Sequence, residues 1–238
     1  MKEIFEEYID TSFDGVYQQL SAKFIWFEQN YRPLFPSRQD ASLLDIGIGL
    51  GEMLTCFKAW GYTNYKGIDI SAGTVRYCSS LGHPCEEVTD TVDWLSTNTE
   101  SFDVITLLDV LEHIKKEDTI TFLKAIRGAL TKGGVAILQV PNMQAPDSPL
   151  HRYNDITHEV GYVEHSFQQV LIASGFSDIS LHGFEDIHFK AGLWENTKML
   201  IRLLLRTAYW RYVRFIRKVC GITNPVIMHP VFYAAVRR

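Results

Sequence analysis

The sequence has no run of roughly 18 uncharged apolar residues, so no segment of it reads as a membrane-spanning helix. Its opening residues, Met1-Lys2-Glu3-Ile4-Phe5-Glu6-Glu7, are acidic and lack the basic start and apolar stretch of a secretory signal. The expectation is a protein made and kept in the cytoplasm. Cysteine is sparse, and Cys56, Cys78, Cys85 and Cys220 are scattered without the short spacing of a zinc site or redox pair, so they read as reduced packing residues. Internal repeats, low-complexity segments and RNA-binding modules are also missing.

What is there is one domain's worth of chain, 238 residues with 46% hydrophobic content, enough for a buried α/β core plus appendages. The net charge of −5 is unevenly spread. From Lys190 onward ten Lys and Arg face the single acid Glu195, a net of +9, whereas the preceding part carries 13 basic and 27 acidic residues, a net of −14. An acidic body therefore carries a basic appendage, and a body of that sign disfavours nucleic acid as a partner.

Aromatic and charged residues at irregular helical spacing from Phe5 to Phe27 end at Pro33 and Pro36, which reads as an N-terminal helical cap over 1–38. Alternating units follow over 39–189. Leu43–Ile46 is an apolar run, Glu52 to Trp60 a helix and Tyr65–Ile70 a second strand, which together make a βαβ unit. A helix over 72–81, a short strand near Cys85–Val88, a strand over Phe102–Leu108, a helix over 117–130 and a strand over Val135–Val140 continue the pattern. Ser166 is placed to cap a helix reaching Ser174, and Ile179–Phe184 reads as another strand. A basic helical insertion over 190–224 precedes the closing strand within 225–238. The expected fold is a Rossmann-like, doubly wound, seven-stranded α/β sheet, mostly parallel with a final antiparallel strand.

Glycine between a strand and a helix lets backbone amides approach a ligand. Here the spacing is Gly47-x-Gly49-x-Gly51, preceded by Asp45, which departs from the dinucleotide pattern G-x-G-x-x-G. A carboxylate at that place suits an ammonium and repels a pyrophosphate. Eighteen residues beyond Gly51, Asp69 ends the second strand, placed to accept hydrogen bonds from both hydroxyls of a ribose. An adenosyl ligand with a cationic amino-acid tail fits both acids.

Over roughly residues 40–185 and the closing strand, these features resemble the class I S-adenosylmethionine-dependent methyltransferases. Leu43–Gly51 is similar to the family's first motif, with Ile48 where many members have a small or polar residue, and Gly67-Ile68-Asp69-Ile70-Ser71 is similar to its ribose-binding segment. Thr89-Asp90-Thr91 falls where the family has an acid meeting the adenine amino group. Asp109-Val110-Leu111-Glu112-His113-Ile114 is similar to its D-x-L-E-H stretch. The resemblance implies S-adenosyl-L-methionine as cofactor, held by Asp45, Gly47, Gly49, Gly51, Asp69, Ile70, Asp90, Thr91, Asp109, Val110 and His113. Against each acid alone stands a plainer reading: Asp109 as a turn cap, Asp90 as a loop acid, His113 as a core histidine.

The acceptor side is expected after the fifth strand. Arg152-Tyr153-x-Asp155-Ile156-Thr157-His158-Glu159, with Ser166-Phe167 and Ala173–Phe176, resembles methyltransferases encoded among bacterial polysaccharide biosynthesis proteins. A sugar hydroxyl is a poor nucleophile at neutral pH, and a positioned base contributes ~10²–10⁴-fold. The expected roles are His158 as general base, Asp155 as its orienting partner or a second acceptor contact, and Arg152 as a clamp for an anionic or polyhydroxylated substrate. The plainer role for Thr157-His158-Glu159 is ordering the loop. Asp155, His158 and Glu159 are competent metal ligands, but they share one short loop with no second carboxylate-bearing loop beside it, so no metal is expected.

Two rivals to a sugar O-methyltransferase remain, a methyltransferase for a small lipophilic acceptor such as a quinone precursor and a non-catalytic adaptor that keeps the fold. In the basic region, residues 198, 202 and 206 share one helical face while 211, 214, 217 and 218 centre elsewhere, which predicts two helical pieces broken near Thr207–Trp210. Residues 190–220 suit an anionic membrane surface at the inner face of the membrane, and equally packing on the domain or on a second copy.

Overall fold

The computed structural model describes residues 20–146, 148–189, 192–222 and 227–238. The part of the expected helical cap over 1–19 lies outside the described residues. Among these residues the chain runs α1 (Leu20–Asn30), a 3₁₀ turn (Arg32–Leu34), β1 (Ser42–Ile46), α2 (Glu52–Ala59), β2 (Asn64–Asp69), α3 (Ala72–Ser80), β3 (Cys85–Glu87) and α4 (Thr91–Thr97). Then come β4 (Phe102–Leu108), a 3₁₀ turn (Leu111–His113), α5 (Thr119–Ala129), β5 (Leu130–Pro141), α6 (Ser148–Tyr153), α7 (Glu164–Ala173), β6 (Asp178–Gly183), α8 (Leu193–Val219) and β7 (Val231–Arg237).

The seven strands form one sheet in the order β3-β2-β1-β4-β5-β7-β6, and its strand number and final antiparallel strand are those the sequence pattern predicts. β1 pairs in parallel with β2 and β4, β4 with β5, and β7 runs antiparallel between β5 and β6. Alternation sends neighbours to opposite faces. Leu44, Ile105 and Leu138 join the core under α5 and α7, whereas Leu43, Val104 and Ile137 join the one under α1 and α2. The order reverses between β1 and β4, which opens a crevice at their carboxyl ends.

Two local expectations are corrected. Ser166 is not the N-cap of α7. The helix begins two residues earlier, and the Ser166 hydroxyl reaches back from its first turn to accept from the Val163 N–H at 3.1 Å. The basic region is one unbroken 27-residue helix rather than two pieces. No Gly or Pro interrupts it, and Asn196, Met199, Leu203, Arg206, Trp210, Val213 and Arg217, spaced three and four apart, make one half-buried stripe along its whole length. The charges that drift around the helix do not break it: Arg206 and Arg217 lie in this stripe and reach Asp186 and the Gln144 carbonyl, while Lys198, Arg202, Arg211, Arg214 and Lys218 lie on more exposed faces of the same helix.

Candidate functional site

The glycine loop leaves β1 under tight steric control. Gly47 has φ +76°, and a Cβ there would sit 2.3 Å from Val110 Cγ2, so any other residue would strain the backbone and displace the Val110 side chain. The Asp69 carboxylate holds this loop: one oxygen accepts from the Ile48 N–H at 3.0 Å and the other from the Ser71 N–H at 2.8 Å. Burial raises its pKa, against the lowering effect of those backbone bonds. Asp45 is almost fully buried and accepts a 2.6 Å hydrogen bond from Thr106 Oγ1. Burial pushes its carboxyl up to about 7, opposed by the Thr106 bond and helped by the neighbouring acids Glu52 and Asp69.

Asp109 follows β4 with φ +55°, a conformation unusual for a side-chain-bearing residue. Its carboxylate accepts from Gln139 Nε2 at 2.8 Å, and Tyr31 in turn donates its hydroxyl to Gln139 Oε1. Burial, then the nearby Asp109 carboxylate, raises the Tyr31 pKa well above its ordinary value, so the phenol remains a donor. Tyr233 Oη donates to Asn30 O at 2.9 Å, and Lys23 Nζ meets Glu52 Oε1 at 2.7 Å, which ties α1 over the crevice.

A cavity of about 670 Å³ runs from the glycine loop to the underside of α8. Asp45, Gly47, Gly49, Asp69 and Ile70 line one end, with Thr91, Asp109, Val110 and His113 beyond them. Gly51 and Asp90 do not line it. Gly51 starts α2 from behind the loop, and the exposed Asp90 carboxylate caps α4 by accepting from the Asp93 N–H at 2.9 Å. The far end is built by residues that the sequence does not single out: Trp26 from α1, Phe184 and Asp186 after β6, Arg202 from α8, and His229. There Asp186 pairs with Arg202 at 2.5 Å, with Arg206, and with His229 at 3.7 Å. Burial works to raise the Asp186 carboxyl, but the hydrogen bonds from His229 and Arg206 outweigh it and hold the pKa far below the usual range.

The loop after β5 departs from its expected roles. Arg152 does not reach the cavity; its guanidinium donates to the carbonyls of His158 at 2.5 Å and Glu159 at 3.3 Å, pinning its own loop. The Asp155 carboxylate orients the other histidine. It accepts from Thr157 N at 2.8 Å and Thr157 Oγ1 at 2.6 Å, and Thr157 Oγ1 lies 2.8 Å from His113 Nδ1. With the single hydroxyl proton given to Asp155, Thr157 must accept from His113 Nδ1–H, which makes Nε2 the lone-pair nitrogen. His158 stands behind the cavity wall, its ring centroid 4.8 Å from that of His113.

The family model described as a methyltransferase domain matches residues 23–181. No curated protein shows significant sequence similarity to the chain. Among solved structures, an S-adenosylmethionine-dependent methyltransferase from Archaeoglobus fulgidus is 18% identical with a TM-score of 0.66, covering 99% of each chain. The Haemonchus contortus phosphoethanolamine N-methyltransferase 2 in complex with S-adenosyl-L-methionine is 20% identical with a TM-score of 0.59, covering 98% of this chain and 60% of that one. The Burkholderia thailandensis 1,6-didemethyltoxoflavin-N1-methyltransferase, with its substrate and S-adenosylhomocysteine bound, is 17% identical with a TM-score of 0.59, covering 98% and 87%.

Proposed function

The chain belongs to the methyltransferase-domain family of class I S-adenosylmethionine-dependent enzymes, and from that premise we propose that it methylates a sugar hydroxyl of a cell-surface glycan or its lipid- or nucleotide-linked precursor. The residues present fit the donor. Among the described residues Asp45 is a buried carboxyl with one neutral donor and no cation, and a cation is what the ammonium of S-adenosylmethionine supplies. Each Asp69 oxygen keeps lone pairs beyond its backbone bond for a ribose hydroxyl. When bound, this group supplies an electrophilic methyl on a sulfonium. The chain's own work is to hold the two reactants in line and keep water out.

The observation that carries the acceptor reading is the far end of the cavity, where the half-exposed Arg202 guanidinium and His229 stand among the rings of Trp26 and Phe184. Planar donors suit hydroxyls and phosphates, and rings suit the apolar faces of a sugar. The same rings favour the lipophilic-acceptor reading. A transfer assay with labelled donor separates the two: methylated polysaccharide precursors are the expected product, whereas methylation of quinone precursors alone overturns the sugar assignment. His158→Ala is expected to lower turnover by about 100-fold or more while leaving S-adenosylhomocysteine affinity unchanged, and unchanged turnover removes His158 from the reaction.

We further propose that α8 lies on an anionic membrane surface and thereby presents lipid-linked acceptors. Its outward face carries Ile201, Leu204, Leu205, Tyr212, Phe215 and Val219, all exposed, with Phe215 at 62% and Leu205 at 67%. No Asp or Glu interrupts the seven basic residues from Lys198 to Lys218 in sequence, although Arg202 and Arg206 pair with Asp186 of the body. An apolar face flanked by cations is the pattern of a helix seated in the headgroup region, with no span implied. Flotation with phosphatidylglycerol vesicles at low salt is expected to carry the protein upward, and Leu204→Glu with Phe215→Glu to prevent it. Failure of the unaltered protein to float rules the surface out.

A further inference from the structure

We propose that Glu112, His113 and His158 form a site for one divalent transition-metal ion, with zinc chemistry, at the edge of the acceptor cavity. Their ligand atoms all lie within 4.8 Å of one another. Glu112 is the independent pointer. It is 2% exposed, yet among the described residues neither carboxylate oxygen has a hydrogen-bond partner. A buried carboxylate without donors is costly, and buried acids are ordinarily paired or bound to a metal.

The supporting frame suits an ion. The Glu112 carbonyl accepts from the Glu159 N–H at 2.7 Å and the Val160 N–H at 3.0 Å, so the turn after β4 and the loop after β5 are fixed to each other next to the three ligands. Asp155 acts through Thr157 on His113 Nδ1, which fixes the tautomer that presents Nε2 as the ligand atom. A histidine held by a carboxylate on its other nitrogen is the usual second layer of a metal site. Two imidazoles and one carboxylate are the donor set of open, borderline-soft sites, which keep a position for an oxygen ligand. The sequence leads to the opposite expectation because it looks for ligands within 155–159; the second carboxylate-bearing loop is the one that carries Glu112.

His113 also lines the cavity, so the remaining coordination position faces the acceptor. The role of the ion rests on the O-methylation reading: coordination lowers the pKa of a hydroxyl and fixes its oxygen in place. Binding itself does not depend on that reading.

The test is calorimetric titration of chelator-treated, dialysed protein with ZnCl₂ alone, supported by elemental analysis. One ion per chain is expected, with affinity about tenfold or more weaker in His158→Ala and in Glu112→Gln and unchanged in the exposed His165→Ala. His158 sits on a half-buried loop, and circular dichroism checks that its variant folds. Absence of saturable binding, or equal affinity in all variants, overturns the site. Sugar methylation that persists in chelator overturns the ion's role while leaving the O-methylation reading intact, and ion binding without sugar methylation does the reverse.

Discussion

Asp45→Asn is expected to abolish useful donor binding and at the same time to make the ligand-free protein more stable at pH 8. Burial holds the Asp45 carboxyl near 7 rather than 3.8. A folded-state pKa above the unfolded one means that the native state binds the proton more tightly. The stabilising contribution is complete below about pH 4, falls as pH rises, and is gone above pH 7, where ionised Asp45 costs on the order of 4 kcal/mol. Asparagine has no charge to bury and still accepts from Thr106. Thermal unfolding at pH 8 should therefore shift upward by roughly 8–16 °C in a chain of this size, with the difference vanishing near pH 4. Loss of a buried partner for the donor's ammonium should weaken S-adenosylhomocysteine binding by about 100-fold or more. A variant that unfolds at the same temperature as the parent at pH 8 would show that Asp45 is already neutralised by something other than the donor.

The second large effect is expected at Asp186. Its carboxylate joins Arg202 and Arg206 of α8 to His229 beside β7. Arg202 is more than half exposed and adds little, but Arg206 and Asp186 are both largely buried. Asp186→Ala leaves the Arg206 charge without its partner under a helix that contacts the body along one stripe only. The expected cost is about 3 kcal/mol, concentrated in α8. Hydrogen exchange should show loss of protection over 193–219 while β1, β4 and β5 keep theirs. Because the Asp186 pKa is depressed, its contribution is full above the ordinary carboxylate range and is lost only as pH falls well below it. Acid alone should then release α8 in the parent protein at lower pH than the rest of its carboxylates titrate.

The sheet and the donor end were legible because their signals are local. Apolar runs such as Val104–Leu108 and Val135–Val140, each closed by glycine, proline or an acid, specify a parallel sheet without knowledge of what packs on it. Asp45, Gly47, Gly49 and Asp69 lie within one βαβ unit. The rest of the cavity was not legible, because Gln139 with its partner Tyr31, and Asp186 with Arg202 and His229, meet only through the fold, across separations such as the 108 residues between Tyr31 and Gln139. A usable signal did exist in Thr106 and Gln139, single polar residues inside otherwise apolar central strands, since a buried polar side chain there must have a partner. Glu112 carried the same signal between Leu111 and His113. Residue type alone does not show that the Arg152 guanidinium turns back onto carbonyls of its own loop or that Asp155 accepts from Thr157, so these placements were not legible.

The most direct test of the account is calorimetry with S-adenosylhomocysteine on the unaltered chain and on Asp69→Ala. The account requires one site per chain with micromolar affinity or tighter, lost in the variant with ribose-type competition by adenosine. Absence of binding to the unaltered chain, or equal binding to both, would contradict the placement of the methyl donor between Asp45 and Asp69.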